Sequence, residues 1–194
     1  MHNILDLLVK EEKEFIKLIK VSKGQIIFKE DELCHYLAVV VKGKFSISSF
    51  SYNGKEIIYN KINENELFGN NLLFSIEPRY RGDVIALVNS EIALIHKNDL
   101  LEIFNTNQTF LEEYLKLSNE FSKKLNMKIK LLSINSAEER FLYYLFIHGN
   151  NVQYQSISLL AKELNLERET LSRLISRLVK TRKIDKKNHF FKVI

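Results

Sequence analysis

The stretch from Ser156 to Leu178 limits what this chain can fold into more than any other. Leu160, Leu164, Leu171, Leu174, Ile175 and Leu178 recur at intervals of three and four on either side of an Asn165-Leu166 step. That spacing builds the apolar stripes of two helices, not the alternation of a strand. Ala161 is small where two helices would cross closely. Asn165 stands where the chain must turn, and asparagine accepts a left-handed backbone better than most residues. Leu166 then plugs the turn. The pattern predicts two short helices joined by a tight turn, a helix-turn-helix, in preference to an ordinary helical hairpin.

The second helix would expose Arg168, Glu169, Ser172, Arg173 and Ser176. Arginine offers a planar fork to the O6 and N7 of guanine, and glutamate accepts from the N4 of cytosine. An acid on a surface that met only phosphates would repel them, so Glu169 points to base reading. Charge along the chain agrees. Of 29 basic and 24 acidic residues, positions 137–194 hold eleven and six, and the rest of the chain holds eighteen of each. The whole excess of +5 therefore lies in the last 58 residues, which suits a polyanionic partner. Arg177, Lys180, Arg182, Lys183, Lys186 and Lys187 are assigned to phosphates, which add affinity without sequence choice.

Upstream, the chain changes character twice. Residues 3–20 place Ile4, Leu5, Leu8, Phe15, Leu18 and Ile19 at helical spacing. Residues 21–97 carry short β-rich runs at Gln25–Phe28, Tyr36–Val41, Phe45–Phe50, Ile57–Ile62, Val84–Val88 and Ile92–Ile95. An Asn53-Gly54 pair between two of them signals a hairpin, and many short strands predict an antiparallel barrel or roll. Residues 98–133 return to a helical pattern free of proline and glycine. Leu111, Tyr114, Phe121, Leu125 and Leu132 lie on a seven-residue repeat interrupted by Ser118 and Lys128, expected to pair with a second copy of the chain. A helix at 137–148 ends at Gly149, and a two-stranded wing is expected within Ile184–Ile194 around Lys187-Asn188. The predicted class is α+β: a β-roll with an N-terminal helix over 1–97, a long dimerisation helix over 98–135, and a winged helix-turn-helix over 136–194.

Several functions find no support. No run approaches the length of apolar residues a membrane span needs, and the N-terminus lacks the cleavage site of a secretory signal. Cys34 is the single cysteine, and His2, His35, His96, His148 and His189 lie far apart, so no metal site is expected. A reducing cytoplasm is the expected location. No nucleophile elbow, Walker loop or HExxH motif suggests an enzyme.

The succession of roll, long helix and winged helix-turn-helix resembles the catabolite-activator / fumarate–nitrate-reduction (CRP/FNR) family of bacterial regulators. In the roll the resemblance rests on Lys23-Gly24-Gln-Ile-Ile-Phe-Lys-Glu, Tyr36-Leu-Ala-Val-Val-Val-Lys-Gly43-Lys, Asn53-Gly54-Lys-Glu-Ile-Ile and Leu67-Phe68-Gly69. Near the C-terminus it rests on Arg168-Glu169-Thr170-Leu-Ser172-Arg173. It implies a cyclic-nucleotide-binding-like roll, a double-stranded β-helix, in a homodimer that binds an inverted repeat. One recognition helix would read each half-site, which would have a TGA core. RNA polymerase is a further candidate partner.

At the roll's ligand position the chain departs from the family. Nucleotide-binding members follow Phe-Gly with a glutamate for the ribose and later carry Arg-Ser/Thr-Ala for the phosphate. Here Phe68-Gly69 is followed by Asn70-Asn71, and the later segment runs Pro78-Arg79-Tyr80-Arg81-Gly82-Asp83. Phe68, Gly69, Asn70, Asn71, Arg79 and Arg81 are the candidate effector residues. A cyclic nucleotide is disfavoured and no cofactor is expected. Another small effector, a haem ligand in His35 or His96, and a lone thiol sensor at Cys34 remain open. The competing function is a small-molecule sensor acting through protein partners instead of DNA.

Overall fold

The computed structural model describes residues 3–54, 56–149, 151–187 and 189–194, and only the backbone of Tyr59. His2, Lys55 of the expected hairpin and Asn188 of the expected wing turn fall outside these. The chain forms two compact units, Met1–Glu120 and Phe121–Ile194.

In the first unit, 3-10 turns at Ile4–Leu7 and Glu12–Phe15 lead into eight strands. These are β1 (Ile16–Val21), β2 (Ile26–Phe28), β3 (Tyr36–Lys42), β4 (Phe45–Phe50), β5 (Glu56–Ile62), β6 (Leu67–Phe68), β7 (Asp83–Ala86) and β8 (Ser90–His96). They make two antiparallel sheets, β1-β8-β3-β6 and β2-β7-β4-β5, a β-roll. Phe45 and Phe68 meet at 6.0 Å between ring centroids in its core, and Phe28 stacks on Tyr80 at 4.6 Å. Leu37–Val40 of β3 and Ile92–Ile95 of β8 are buried at every position. Such runs arise where both faces of a strand are covered. Helix α1 (Lys97–Thr106) packs on both strands.

Two sequence expectations need correction here. Residues 3–20 are not one helix. Ile16–Val21 form β1, paired in register with β8 from Ile16↔Ile95 to Val21↔Ser90. The edge of β8 offers these residues a backbone partner, and tertiary pairing overrides an apolar spacing that also fits a helix. Leu18 is consequently exposed. Nor is 98–133 one helix: it breaks at Asn107, between α1 and α2 (Gln108–Ser133). The Asn107 Oδ1 accepts the Phe110 N–H at 2.9 Å, while its Nδ2 donates to the Leu7 carbonyl at 3.0 Å and to the Glu12 carboxylate at 2.8 Å. Side-chain capping of this kind competes with continuing the helix. Buried Glu12 also accepts from the Val9 N–H and the Thr106 hydroxyl, so the N-terminal segment fastens the break.

The expected hairpin at Asn53-Gly54 joins β4 to β5, with Phe50 opposite Glu56. Gly54, and not Asn53, takes a positive φ, at 73°.

The second unit holds the end of α2, then α3 (Ala137–Ile147), β9 (Asn151–Gln153), α4 (Ile157–Glu163), α5 (Arg168–Lys180), β10 (Ile184–Lys187) and β11 (Phe190–Val193). The three strands pair in the order β10-β11-β9. Strand β9, which the sequence reading did not include, gives the C-terminal hairpin a third member. Leu160, Leu164, Leu171, Leu174, Ile175 and Leu178 are all buried, as their spacing predicts. Phe141 and Phe191 are fully buried and meet edge to face at 5.3 Å. Burying each ring is worth roughly 2–3 kcal/mol. Among the described residues, no helix is long and apolar enough to cross a membrane.

Candidate nucleic-acid interface

Helix α5 acquires its exposed face because the opposite face is occupied by the core. Glu169, Arg173, Ser176 and Lys180 lie opposite the buried stripe, with Ser172 and Arg177 on its flanks, and all six are exposed. Arg168 is exposed at the start of the helix and Thr170 is half-buried. Among the described residues, Arg168, Glu169, Arg173 and Lys180 form no side-chain hydrogen bond or ion pair. Their polar groups are left to water or to a partner. The Ser176 hydroxyl donates to the Ser172 carbonyl at 3.0 Å.

The turn that aims this helix has the predicted chemistry. Ser156 caps α4, its Oγ accepting the Leu159 N–H at 3.2 Å. Asn165 sits at φ 49°, and the Leu166 N–H donates to the Ala161 carbonyl at 2.9 Å. One residue that sequence reasoning missed holds the turn in place. Arg140 of α3 donates from Nη1 to the carbonyls of Leu164 and Asn165 at 2.9 and 3.2 Å, and from Nε and Nη2 to the Ile134 carbonyl at 2.9 and 2.6 Å. In sequence it is one more basic residue in a basic segment, and only its partners distinguish it.

Not all the expected phosphate ligands are open. Arg177 Nη2 donates to Glu138 Oε2 at 2.6 Å, and Lys183 Nζ donates to Glu138 Oε1 at 2.7 Å. The hydrogen bond from Lys183, with the positive charges of Lys183 and Arg177, holds the Glu138 carboxyl below the usual carboxylate range. Lys186 and Lys187 project from β10; Lys186 lies 5.9 Å from the Tyr154 ring centroid and Lys187 is 3.9 Å from Asp185.

The candidate effector residues of the roll meet a different environment. Phe68 is core. Gly69 has φ 81°, and a Cβ there would lie 2.7 Å from the Tyr36 carbonyl oxygen and 3.2 Å from Cys34 Sγ. Asn70 is 9% exposed; its Nδ2 donates to the Ser118 Oγ at 3.2 Å and its carbonyl accepts the Tyr114 hydroxyl at 3.1 Å. Asn71 is exposed. Arg79 Nη1 donates to the Asp31 carbonyl at 2.7 Å, and Arg81 lies 3.9 Å from Glu77. Asp83 accepts the Glu30 N–H at 2.8 Å. Asn70 is thus bonded to α2, and both arginines are engaged close by in sequence or space. A cavity of about 630 Å³ lies elsewhere, where Leu7, Glu12 and Phe15 face Thr106 and Asn107.

Two expectations change accordingly. Tyr114, expected on the pairing face of the long helix, is 5% exposed and packs 4.9 Å from Phe104 within its own unit. Ser118, read as a break in the seam, anchors Asn70. Elsewhere on α2, Leu111 and Phe121 are half-buried, while Leu125, Ile129 and Leu132 are 50%, 55% and 38% exposed. Among the described residues, no cluster of histidine, cysteine or acidic side chains could hold a metal. His96 Nδ1 caps α1 by accepting the Asn98 N–H at 3.3 Å. Cys34 is buried, which raises its thiol pKa.

Residues 18–107 match the family model for the cyclic nucleotide-binding domain. The anaerobic regulatory protein of Bacillus subtilis is 25% identical over 132 residues, 68% of this chain and 55% of that protein. The chain therefore matches only about half the length of this curated relative. Among solved structures, the catabolite activator protein of Thermus thermophilus aligns with 100% of this chain and 94% of its own, at 20% identity and a TM-score of 0.58. A transcriptional regulator from Thermotoga maritima aligns with 64% of this chain and 96% of its own, at 26% identity and a TM-score of 0.57.

Proposed function

Because the chain fits the CRP/FNR family of transcription regulators, we propose that it is a sequence-specific DNA-binding regulator that works as a homodimer on an inverted repeat. The second unit then acts as a winged helix-turn-helix, with α5 in the major groove and β10–β11 as the wing. Arg168, Glu169, Ser172 and Arg173 read base edges from the first turns of α5, where this motif contacts bases. Thr170, half-buried beside them, belongs to the same DNA-contacting set. Ser176, Lys180, Lys186 and Lys187 contact phosphates.

The observation that carries this reading is that Glu169 and Arg173 are exposed opposite a buried leucine stripe, with Arg168 exposed at the helix start, and that all three lack side-chain partners among the described residues. These three charged side chains form no ion pair or side-chain hydrogen bond among the described residues, and their donors and acceptor match base edges. The exposed Leu125, Ile129 and Leu132 of α2 support pairing through that half of the helix. The closed surroundings of Asn70 support binding to DNA without a small effector in the roll.

The test is selection of bound sequences from a random duplex pool by the purified protein, without added ligand, at about 0.15 M salt, where non-specific attraction is partly screened. An inverted repeat with TGA-like half-sites is expected. Enrichment only after a nucleotide or cell extract is added overturns the effector-independent part. No enrichment under any condition overturns the DNA reading.

A further inference from the structure

The basic surface of the second unit is not uniform. Arg168, Arg173 and Lys180 have no anionic partner among the described residues, but Arg177 and Lys183 share one. Glu138 stands in the first turn of α3, Arg177 in the last turn of α5, and Lys183 just ahead of β10. Each Glu138 oxygen takes one cation, at 2.6 and 2.7 Å, across sequence separations of 39 and 45. A DNA phosphate offers its two non-bridging oxygens to basic side chains in the same way.

The position fits as well as the chemistry. Arg177 lies one turn beyond Arg173 and next to Ser176, on one flank of the exposed face of α5. A duplex seated on that face brings its backbones along the flanks, because phosphates border the groove. Both cations are more than half exposed, whereas Glu138 is 27% exposed. A phosphate can therefore reach them while Glu138 stays behind. The pair of cations and the helix N-terminus both favour the ionised carboxylate.

We propose that Glu138 is a built-in stand-in for a backbone phosphate: it holds Arg177 and Lys183 in the free protein and yields them to DNA on binding. This rests on the reading that α5 seats on a duplex. The exchange leaves Glu138 uncompensated, so the bound complex recovers a cation from solution and its net counterion release falls. Glu138 lowers affinity for every sequence alike. It thereby trims non-specific binding while base contacts keep the operator favoured.

Binding to a random-sequence duplex and to an operator from the selection should be titrated between about 0.05 and 0.3 M salt, with the wild-type protein, Glu138→Gln, Arg177→Gln and the double variant. Glutamine keeps the shape and removes the charge. Glu138→Gln should bind both duplexes more tightly by similar factors, roughly tenfold at the low end of salt, with a log K against log salt slope steeper by about one. The gain should shrink in the Arg177→Gln background. Unchanged or weaker binding by Glu138→Gln overturns the proposal. So does a gain undiminished without Arg177, which would reflect net charge alone. Lys183→Gln, at an exposed site, gives an independent reading if Glu138→Gln fails to fold: the slope should be shallower by about one, and an unchanged slope overturns the proposal. A wild-type protein that binds neither duplex at the lowest salt overturns the DNA reading and this inference together. Normal wild-type binding with an indifferent Glu138→Gln overturns this inference alone.

Discussion

The loop after β6 and the exposed face of α5 both carry polar and charged residues singled out from sequence, but they use them in opposite ways. In the loop, Asn70 is bonded to Ser118 and Tyr114, Arg79 to the Asp31 carbonyl, and Gly69 is pressed against Tyr36. On α5, Arg168, Glu169 and Arg173 have no partner among the described residues. A buried polar group such as Asn70 loses its water and gains from an internal partner, whereas one left unpaired on a surface keeps its water. Residue type alone thus does not mark a ligand site. A residue can serve a ligand only if its donors and acceptors are still available.

The largest effect that would sharpen this contrast is expected at Gly69. Gly69→Ala places a Cβ against backbone at a positive φ, and strain plus overlap should cost the first unit about 3 kcal/mol or more. Thermal unfolding would show it, and a near-neutral result would mean that the loop is not tightly closed. Next comes Arg140→Ala. It removes a cation from four hydrogen bonds to carbonyls and should destabilise the second unit by about 2–4 kcal/mol, weakening binding to all DNA through a misplaced α5. Full stability measured by denaturant titration would break the claim that Arg140 aims the turn. Arg173→Ala should leave folding intact and cost roughly 1–3 kcal/mol of operator binding, relaxing choice at one base pair; unaltered specificity in a repeat selection would count against it as a base reader. The smallest effect is expected at Lys186→Ala, which should weaken operator and random duplex alike by about 0.5–1 kcal/mol and flatten the salt slope by about one. A loss confined to the operator would argue against a phosphate contact.

What was legible in the sequence follows from local pattern. The leucine spacing of 160–178 located both helices, and Asn165 located the turn with its left-handed backbone. The runs at 36–41, 45–50 and 57–62 correspond to β3, β4 and β5. The failures lie where a distant partner decides. Ile16–Val21 is a strand only because β8 lies beside it, and the helix over 98–133 breaks because Asn107 finds Leu7 and Glu12 a hundred residues away or nearly so. The two-residue strand β6 is too short to leave a periodic signal, and β9 only slightly longer.

By itself, then, the sequence determined the order of roll, helices and C-terminal hairpin, and it placed the basic excess and the α5 face, because periodicity and charge are properties of neighbouring residues. Tertiary structure alone decided which of the named polar groups are available. Asn70 is tied to α2, Arg177 and Lys183 to Glu138, and Arg140 to the turn. A hydrogen bond depends on what a side chain meets in space, and these partners stand 24 to 48 residues away along the chain.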